Sequence, residues 1–177
     1  MLYSTNAIQI RIAQQGDFRA IAELHAASWR STYCGILSNE YLDRNVGSER
    51  IDLWEKRFRN PKASQHILIA EIQADIVGFA CAYGNEDEQW GTMLDNLHVL
   101  PTQKGKGIGS KLIADVALWC SKAHPAKECF FGLSTGMCRP GDSMSGSAEW
   151  LPGKRFGALQ MVPRSTNFVM YGRMLTS

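Results

Sequence analysis

Gly105, Gly107 and Gly109 alternate with Lys104, Lys106 and Ile108, and Lys111 follows, within residues 94–120, LDNLHVLPTQKGKGIGSKLIADVALWC. Glycines strip side chains from a turn, so its backbone can approach a ligand closely. Amides at the start of a helix have no intrahelical acceptor, and the helix dipole favours negative charge there. The lysines add positive charge. This combination suits a pyrophosphate or a similar anion, and hence a phosphate-bearing cofactor. The plainer reading is a flexible glycine turn with solvated lysines. The agreement of strand, turn, lysines and helix over one stretch favours the anion site.

Such a turn needs a strand before it and a helix after it. Residues 92–100 read as that strand. Residues 110–121 read as the helix, with an apolar face at Leu112, Ile113, Val116 and Trp119. Upstream, residues 8–13 alternate as a first strand should. Asp17 can cap a helix to about residue 30, with Phe18, Ile21, Ala22, Leu24 and His25 on one face. Residues 31–35 break it. Ser38 can cap a short helix through Tyr41 and Leu42. Ser48 can cap another, holding Ile51, Leu53, Trp54 and Phe58, which Asn60-Pro61 stops. Residues 66–72 and 76–83 read as strands joined by a turn at Ala74-Asp75, and Asn85, Glu86, Asp87 and Glu88 as a solvated loop.

The chain has 177 residues, which predicts a single domain over 1–177, with 132–177 atypical. An apolar fraction of 45% is enough for a real core, and a net charge of +2 is too small to argue for nucleic acid or an anionic membrane. No apolar run reaches membrane-span length, and no signal-peptide pattern opens the chain. The five cysteines, Cys34, Cys81, Cys120, Cys129 and Cys138, lack C-x-x-C spacing and read as reduced cytosolic thiols. The histidines, His25, His66, His98 and His124, are scattered, so no metal site is expected.

Three phosphate-binding patterns compete for the turn. A P-loop needs Gly, four residues, then Gly-Lys-Ser/Thr, and Ser110 precedes Lys111 here. A dinucleotide fold needs G-x-G-x-x-G directly after its strand, and residues 101–104 intervene, although Glu128 stands about where a ribose-binding acid would. The third fits best. Residues 104–109, KGKGIG, resemble the R/Q-x-x-G-x-G/A motif of the GNAT N-acetyltransferases, with Lys104 where Arg or Gln is usual. Residues 95–99, DNLHV, resemble that family's central strand, and residues 28–37, SWRSTYCGIL, its acceptor-side helix and loop. Arg11-Ile12-Ala13 followed by Asp17 resembles its opening. The resemblance spans residues 8 to about 128.

What the resemblance implies is an α/β (mixed α+β) fold. Its central sheet would be mostly antiparallel, flanked by helices, with splayed central strands. The activity implied is direct transfer of acetyl from acetyl-CoA to an amine. Leu97, His98 and Val99 match the strand whose backbone pairs with pantetheine. Lys104, Gly105, Lys106, Gly107, Ile108, Gly109 and Ser110 match the pyrophosphate loop. An attacking amine must be neutral, so a base or a water chain must take its proton. Asp95 is the candidate base; an ion pair or a strand-end cap is its other reading. His98 reads more readily as a packed histidine than as a base. Trp29 and Tyr33 are candidates to line the acceptor pocket, or to be core. The acceptor is expected to be a small-molecule or peptide amine, the location cytoplasmic, and a homodimer is possible. Two other classes stay open: a catalytically impaired CoA-binding protein, and a nucleotide-binding oxidoreductase.

Beyond Cys129 the family pattern stops. Residues 132–153 show neither strand nor helix periodicity, and no residue matches the family tyrosine that often protonates the departing thiolate. Codons built from the third base of each residue and the first two of the next give another text. Over residues 136–149 they can spell NVQAWRFYERLGG, which resembles the missing family helix. Over residues 166–176 they can spell QLRYVWADAD, which resembles its last strand. We read residues 132–177 as an out-of-frame tail; a divergent tail is the alternative, and the gene's DNA decides between them.

Overall fold

Residues 67–70 are apolar at consecutive rather than alternate positions, a pattern suited to a strand covered on both faces. The computed structural model describes residues 7–87 and 91–123. It also gives the backbone of four short strands, Cys129–Phe131, Leu133–Ser134, Gln160–Arg164 and Asn167–Tyr171. Strands β1 (Gln9–Ile12), β2 (Gln65–Ile72), β3 (Asp75–Asp87), β4 (Gly91–Val99) and β5 (Cys129–Phe131) form one sheet in that order. The first four run antiparallel, and β5 joins parallel to β4. Helices α1 (Phe18–Thr32) and α2 (Val46–Arg59) cover one face, and α3 (Ile108–Ala123) covers the other.

Each face has its own core. Ile21, Leu24 and Trp54 pack with Ile67, Ile69, Phe79 and Cys81 on the first. Ile108, Leu112 and Val116 pack with Leu68, Ala70, Val77 and Ala80 on the second. Adjacent residues of β2 thus enter opposite cores, as the period of two requires. Burying a large apolar side chain stabilises by roughly 1.5–3 kcal/mol, so both layers hold the sheet.

Several local expectations shift. The turn between β2 and β3 is Gln73-Ala74, with φ of 52° and 71°. Two positive φ values match the right-handed twist of a tight hairpin, and here non-glycine residues accept them. The two short helices expected around Ser38 and Ser48 form one run. Ser38 Oγ accepts the Tyr41 N–H at 3.2 Å, as a cap should. A π-helical turn, Tyr41–Asn45, then leads straight into α2. Ser48 caps nothing; it lies inside α2 and donates to the Asn45 carbonyl at 3.0 Å. Asn85, Glu86 and Asp87, expected in a loop, extend β3, because Asp87 pairs with Gly91 across the hairpin. Glu88 lies outside the described residues.

A fifth strand is present, although the sequence showed none. It is only three residues long, too short for periodicity to reveal. Strands β6 (Leu133–Ser134), β7 (Gln160–Arg164) and β8 (Asn167–Tyr171) form a second sheet in the order β6-β8-β7, which was not foreseen either. The remainder of the tail, including residues 135–159, lies outside the described residues. Cys120, expected as a thiol, is disulfide-bonded. Cys34 and Cys81 are free.

Candidate active site

The glycine turn starts where β4 ends. Leu100 N–H donates to the Val77 carbonyl at 2.9 Å, tying the strand end to β3. A single 3-10 turn, Pro101–Gln103, follows with proline at its start. Gly105 and Gly107 then have φ of 79° and 76°. A Cβ on either would meet nothing within 4 Å, so the left-handed backbone, not crowding, calls for glycine. Gly109 is different. It lies within α3, and an added Cβ would make ordinary contact with Val99 at 3.9 Å. The protein's own packing does not need glycine there; what its missing side chain leaves is room beside the turn. The first bond of the α3 ladder runs from Lys111 N–H to the Gly107 carbonyl at 3.1 Å. The amides ahead of it lie outside that ladder. Lys104, Lys106 and Lys111 are exposed around this end, and Lys106 reaches back to Gln103 at 2.7 Å.

Ile108 anchors the helix start, with 1% exposure. It is seated against Gly78 of β3, where an added Cβ would lie 3.1 Å from Ile108 Cγ2 and 3.1 Å from the His98 carbonyl. Gly78 was missed in the sequence. A lone glycine in an apolar strand is the signal that could have found it.

The second component is the edge of β4. Cys81 pairs with Asn96 and Ala82 with Leu94, so Asp95 is the extra residue of a β-bulge. Strand β5 pairs only with Thr92, Met93 and Leu94. Strand β6 pairs with β8. Among the described residues no strand covers the outer edge of β4 from Asp95 to Val99. Backbone groups of this edge are available to pair with an extended ligand. Leu97 and Val99 pack toward α3, while His98 points to the α1 face.

On that face lies a buried aromatic cluster. Trp54 Nε1 donates to His25 Nδ1 at 3.0 Å, which places the proton of neutral His25 on Nε2. His98 Nδ1 and Ser28 Oγ are 2.9 Å apart, and the His25 and His98 rings lie 4.3 Å apart. Burial is the main cause that pushes His98 down to about 4 and His25 down to about 2, from 6.5. Both are neutral at neutral pH. Lowered folded values mean that the unfolded chain takes up protons first as pH falls. The stability attached to this pair is complete above pH 6.5 and is lost below it, toward about 4 for His98 and further for His25. Each histidine contributes on the order of 1.4 kcal/mol per pH unit. Urea unfolding should therefore lose roughly 3 kcal/mol between about pH 6.5 and 5. His98→Gln should show about half that slope; a flat profile in the parent chain would contradict the buried neutral pair.

The remaining predicted residues fall around this core. Asp95 accepts from Arg57 at 2.8 Å and from the Asn96 side chain, so its carboxylate is held by an ion pair. Arg57 itself lies over the Trp54 ring. Trp29 of α1 touches Tyr33 at 4.8 Å and His25 at 5.8 Å between ring centres. Burial raises the Tyr33 hydroxyl above its ordinary value. Cys34 is exposed, whereas burial pushes the Cys81 thiol up to about 12, far from a reactive thiolate. Among the described residues no three metal-ligating side chains cluster. No described helix is long and apolar enough to cross a membrane. Glu128 lies outside the described residues. Sequence reading did not single out Arg50 or Arg57, because their partners here, Trp29 and Asp95, lie far off in the chain.

Comparison with known proteins adds a separate line of evidence. A model of the acetyltransferase (GNAT) family matches residues 19–131, more than half of the chain. A protein of Mycobacterium tuberculosis named "Probable N-acetyltransferase" is 27% identical over 134 residues, covering 70% of this chain and 76% of its own length. Among solved structures, the PaiA N-acetyltransferase of Thermoplasma acidophilum in complex with coenzyme A has a TM-score of 0.68 at 20% identity. That match covers 94% of this chain and 99% of that one, and it speaks for the fold. A GNAT family acetyltransferase of Brucella melitensis in complex with acetyl-CoA is 25% identical with a TM-score of 0.53, over 71% of this chain and 75% of that one.

Proposed function

The chain belongs to the acetyltransferase (GNAT) family, and on that premise we propose that it transfers the acetyl group of acetyl-CoA to an amine by direct attack. One observation carries the reading. Gly105 and Gly107 turn left-handed directly before the α3 amides, beside an uncovered edge of β4. In this reading the backbone of residues 104–110 holds the pyrophosphate, with Lys104, Lys106 and Lys111 supplying positive charge around it. The edge at Leu97, His98 and Val99 pairs with the pantetheine arm. Acetyl-CoA supplies the thioester. A backbone amide of the open edge is placed to stabilise the developing oxyanion.

The acceptor enters from the α1 face, where Trp29 and Tyr33 line its way. Asp95 is the candidate to take the amine's proton, and the Arg57 ion pair competes with that role. A carboxylate held by arginine must share its lone pairs before it can act as base. We treat residues 1–177 as one domain whose text from about 132 onward is out of frame. The second reading, a CoA-binding protein with impaired turnover, is favoured by one fact. The family match ends at residue 131, ahead of the segment where the family's acid would stand.

Calorimetric titration of the purified chain with acetyl-CoA, and with NAD as control, tests the reading. Saturable binding of acetyl-CoA alone is the expected result. A folded chain that ignores acetyl-CoA would overturn the assignment of the glycine turn. Binding of NAD in its place would favour the oxidoreductase alternative.

A further inference from the structure

The half-buried arginines of this chain are not used alike. Arg11 holds Asp17 and Glu71 at 2.8 and 2.7 Å. Arg57 holds Asp95 at 2.8 Å. Arg50, from the first turns of α2, is the exception. Its guanidinium sits 4.5 Å over the Trp29 ring, and its side chain is 15% exposed. Among the described residues its one carboxylate contact is the neighbouring Glu49, at 3.5 Å. The same Glu49 oxygen already accepts the Tyr41 hydroxyl at 2.5 Å. A charge-assisted bond of full strength is shorter, about 2.7–2.9 Å. Arg50 Nε is moreover the one buried side-chain nitrogen or oxygen without a hydrogen-bond partner among the described residues. A buried, weakly compensated cation is costly to keep.

Its place gives that charge a use. Trp29, beneath the guanidinium, touches Tyr33 and His25, and His25 lies against His98 of β4. Arg50 therefore stands two aromatic rings from the strand whose edge is open. Its charge is felt at Tyr33, His25 and His98. We propose that Arg50 anchors a carboxylate of the acceptor, so that the amine acetylated here is an amino acid rather than a simple amine or a polyamine. The inference rests on the acetyltransferase reading above. The planar fork of arginine fits a carboxylate, and stacking on Trp29 holds that plane in place. Arg50 would repel a second ammonium on a polyamine. Glu86, of the acidic run that could attract one, is engaged by Lys62 at 2.8 Å.

The test uses the full chain saturated with coenzyme A, which keeps turnover out of the readout. Common L-amino acids are titrated against the amines that differ only by loss of the carboxylate, such as phenylalanine against phenethylamine. At least one amino acid should bind with its matched amine weaker by about tenfold or more. Arg50→Met should abolish the difference while coenzyme A affinity stays unchanged, and Arg50→Lys should retain part of it. Equal binding within every pair, a preference for spermidine, or no amino acid bound would overturn the proposal while leaving the acetyltransferase reading intact. Failure of coenzyme A itself to bind would overturn both. The matched pairs on the parent chain decide the matter even where Arg50→Met fails to fold.

Discussion

Replacing Gly107 with valine should weaken acetyl-CoA binding by about a hundredfold and leave the fold standing. The two halves of that expectation have different causes. A Cβ at Gly107 would meet nothing within 4 Å, so no core contact is lost. The backbone there has φ of 76°, which a β-branched residue resists. Left-handed backbone costs an L-residue roughly 1–2 kcal/mol, and the turn relieves that cost by moving. Once it moves, the amides at the head of α3 no longer converge on one anion. Hydrogen bonds to charged groups contribute about 1.5–3 kcal/mol each, so losing one such bond on top of the strain reaches the stated factor. Gly16 supplies the control. It too has open space for a Cβ, but it is not among the positive-φ glycines, so Gly16→Ala should leave binding unchanged. Calorimetry reads the affinity and thermal unfolding reads the fold. Undiminished binding by a folded Gly107→Val chain would sink the pyrophosphate assignment.

The second large effect is expected from the gene rather than from a side chain. Correcting the reading frame ahead of residue 136 should yield a chain that carries NVQAWRFYERLGG and turns over at least about a hundredfold faster. The physical source is the tyrosine of that string, which resembles the family's proton donor to the departing thiolate. A positioned general acid contributes about a hundredfold to ten-thousandfold. The restored text would also supply an amphipathic helix to the sheet, adding apolar burial. Sequencing the DNA comes first: a shifted frame broken by stop codons ends the idea. If the frame is open, acetyl transfer by the two chains is compared with the same acceptors. A restored chain no faster than the present one would show that residues 132–177 are a divergent tail in its proper frame.

How much of the site could be read beforehand depends on how local each part is. The glycine turn, the strand before it and the helix after it were legible together, because their meaning lies in neighbouring residues. The splay of β4 from β5 came only through family resemblance. In the structure β5 pairs with β4 only at Thr92, Met93 and Leu94. The Ser48 cap failed because a π-helical turn merged two helices, and the extra residue of such a turn leaves no mark on a short apolar pattern. Asp95 was picked out, yet the bulge beneath it and the arginine holding it were not.

The sequence by itself determined the left-handed glycine turn, the strand before it and the helix after it. Glycine's tolerance of positive φ, the orphan amides of a helix start and the alternation of strand side chains are properties of adjacent residues. Only the tertiary structure decided what surrounds that turn. His25 meets His98, Arg50 meets Trp29 and Arg57 meets Asp95 because β4, α1 and α2 pack in one register. A single bulge in β4 resets which side chains face the helices. Register and packing arise from the whole core at once, so no local spacing in the chain encodes which of its scattered charges and rings will touch.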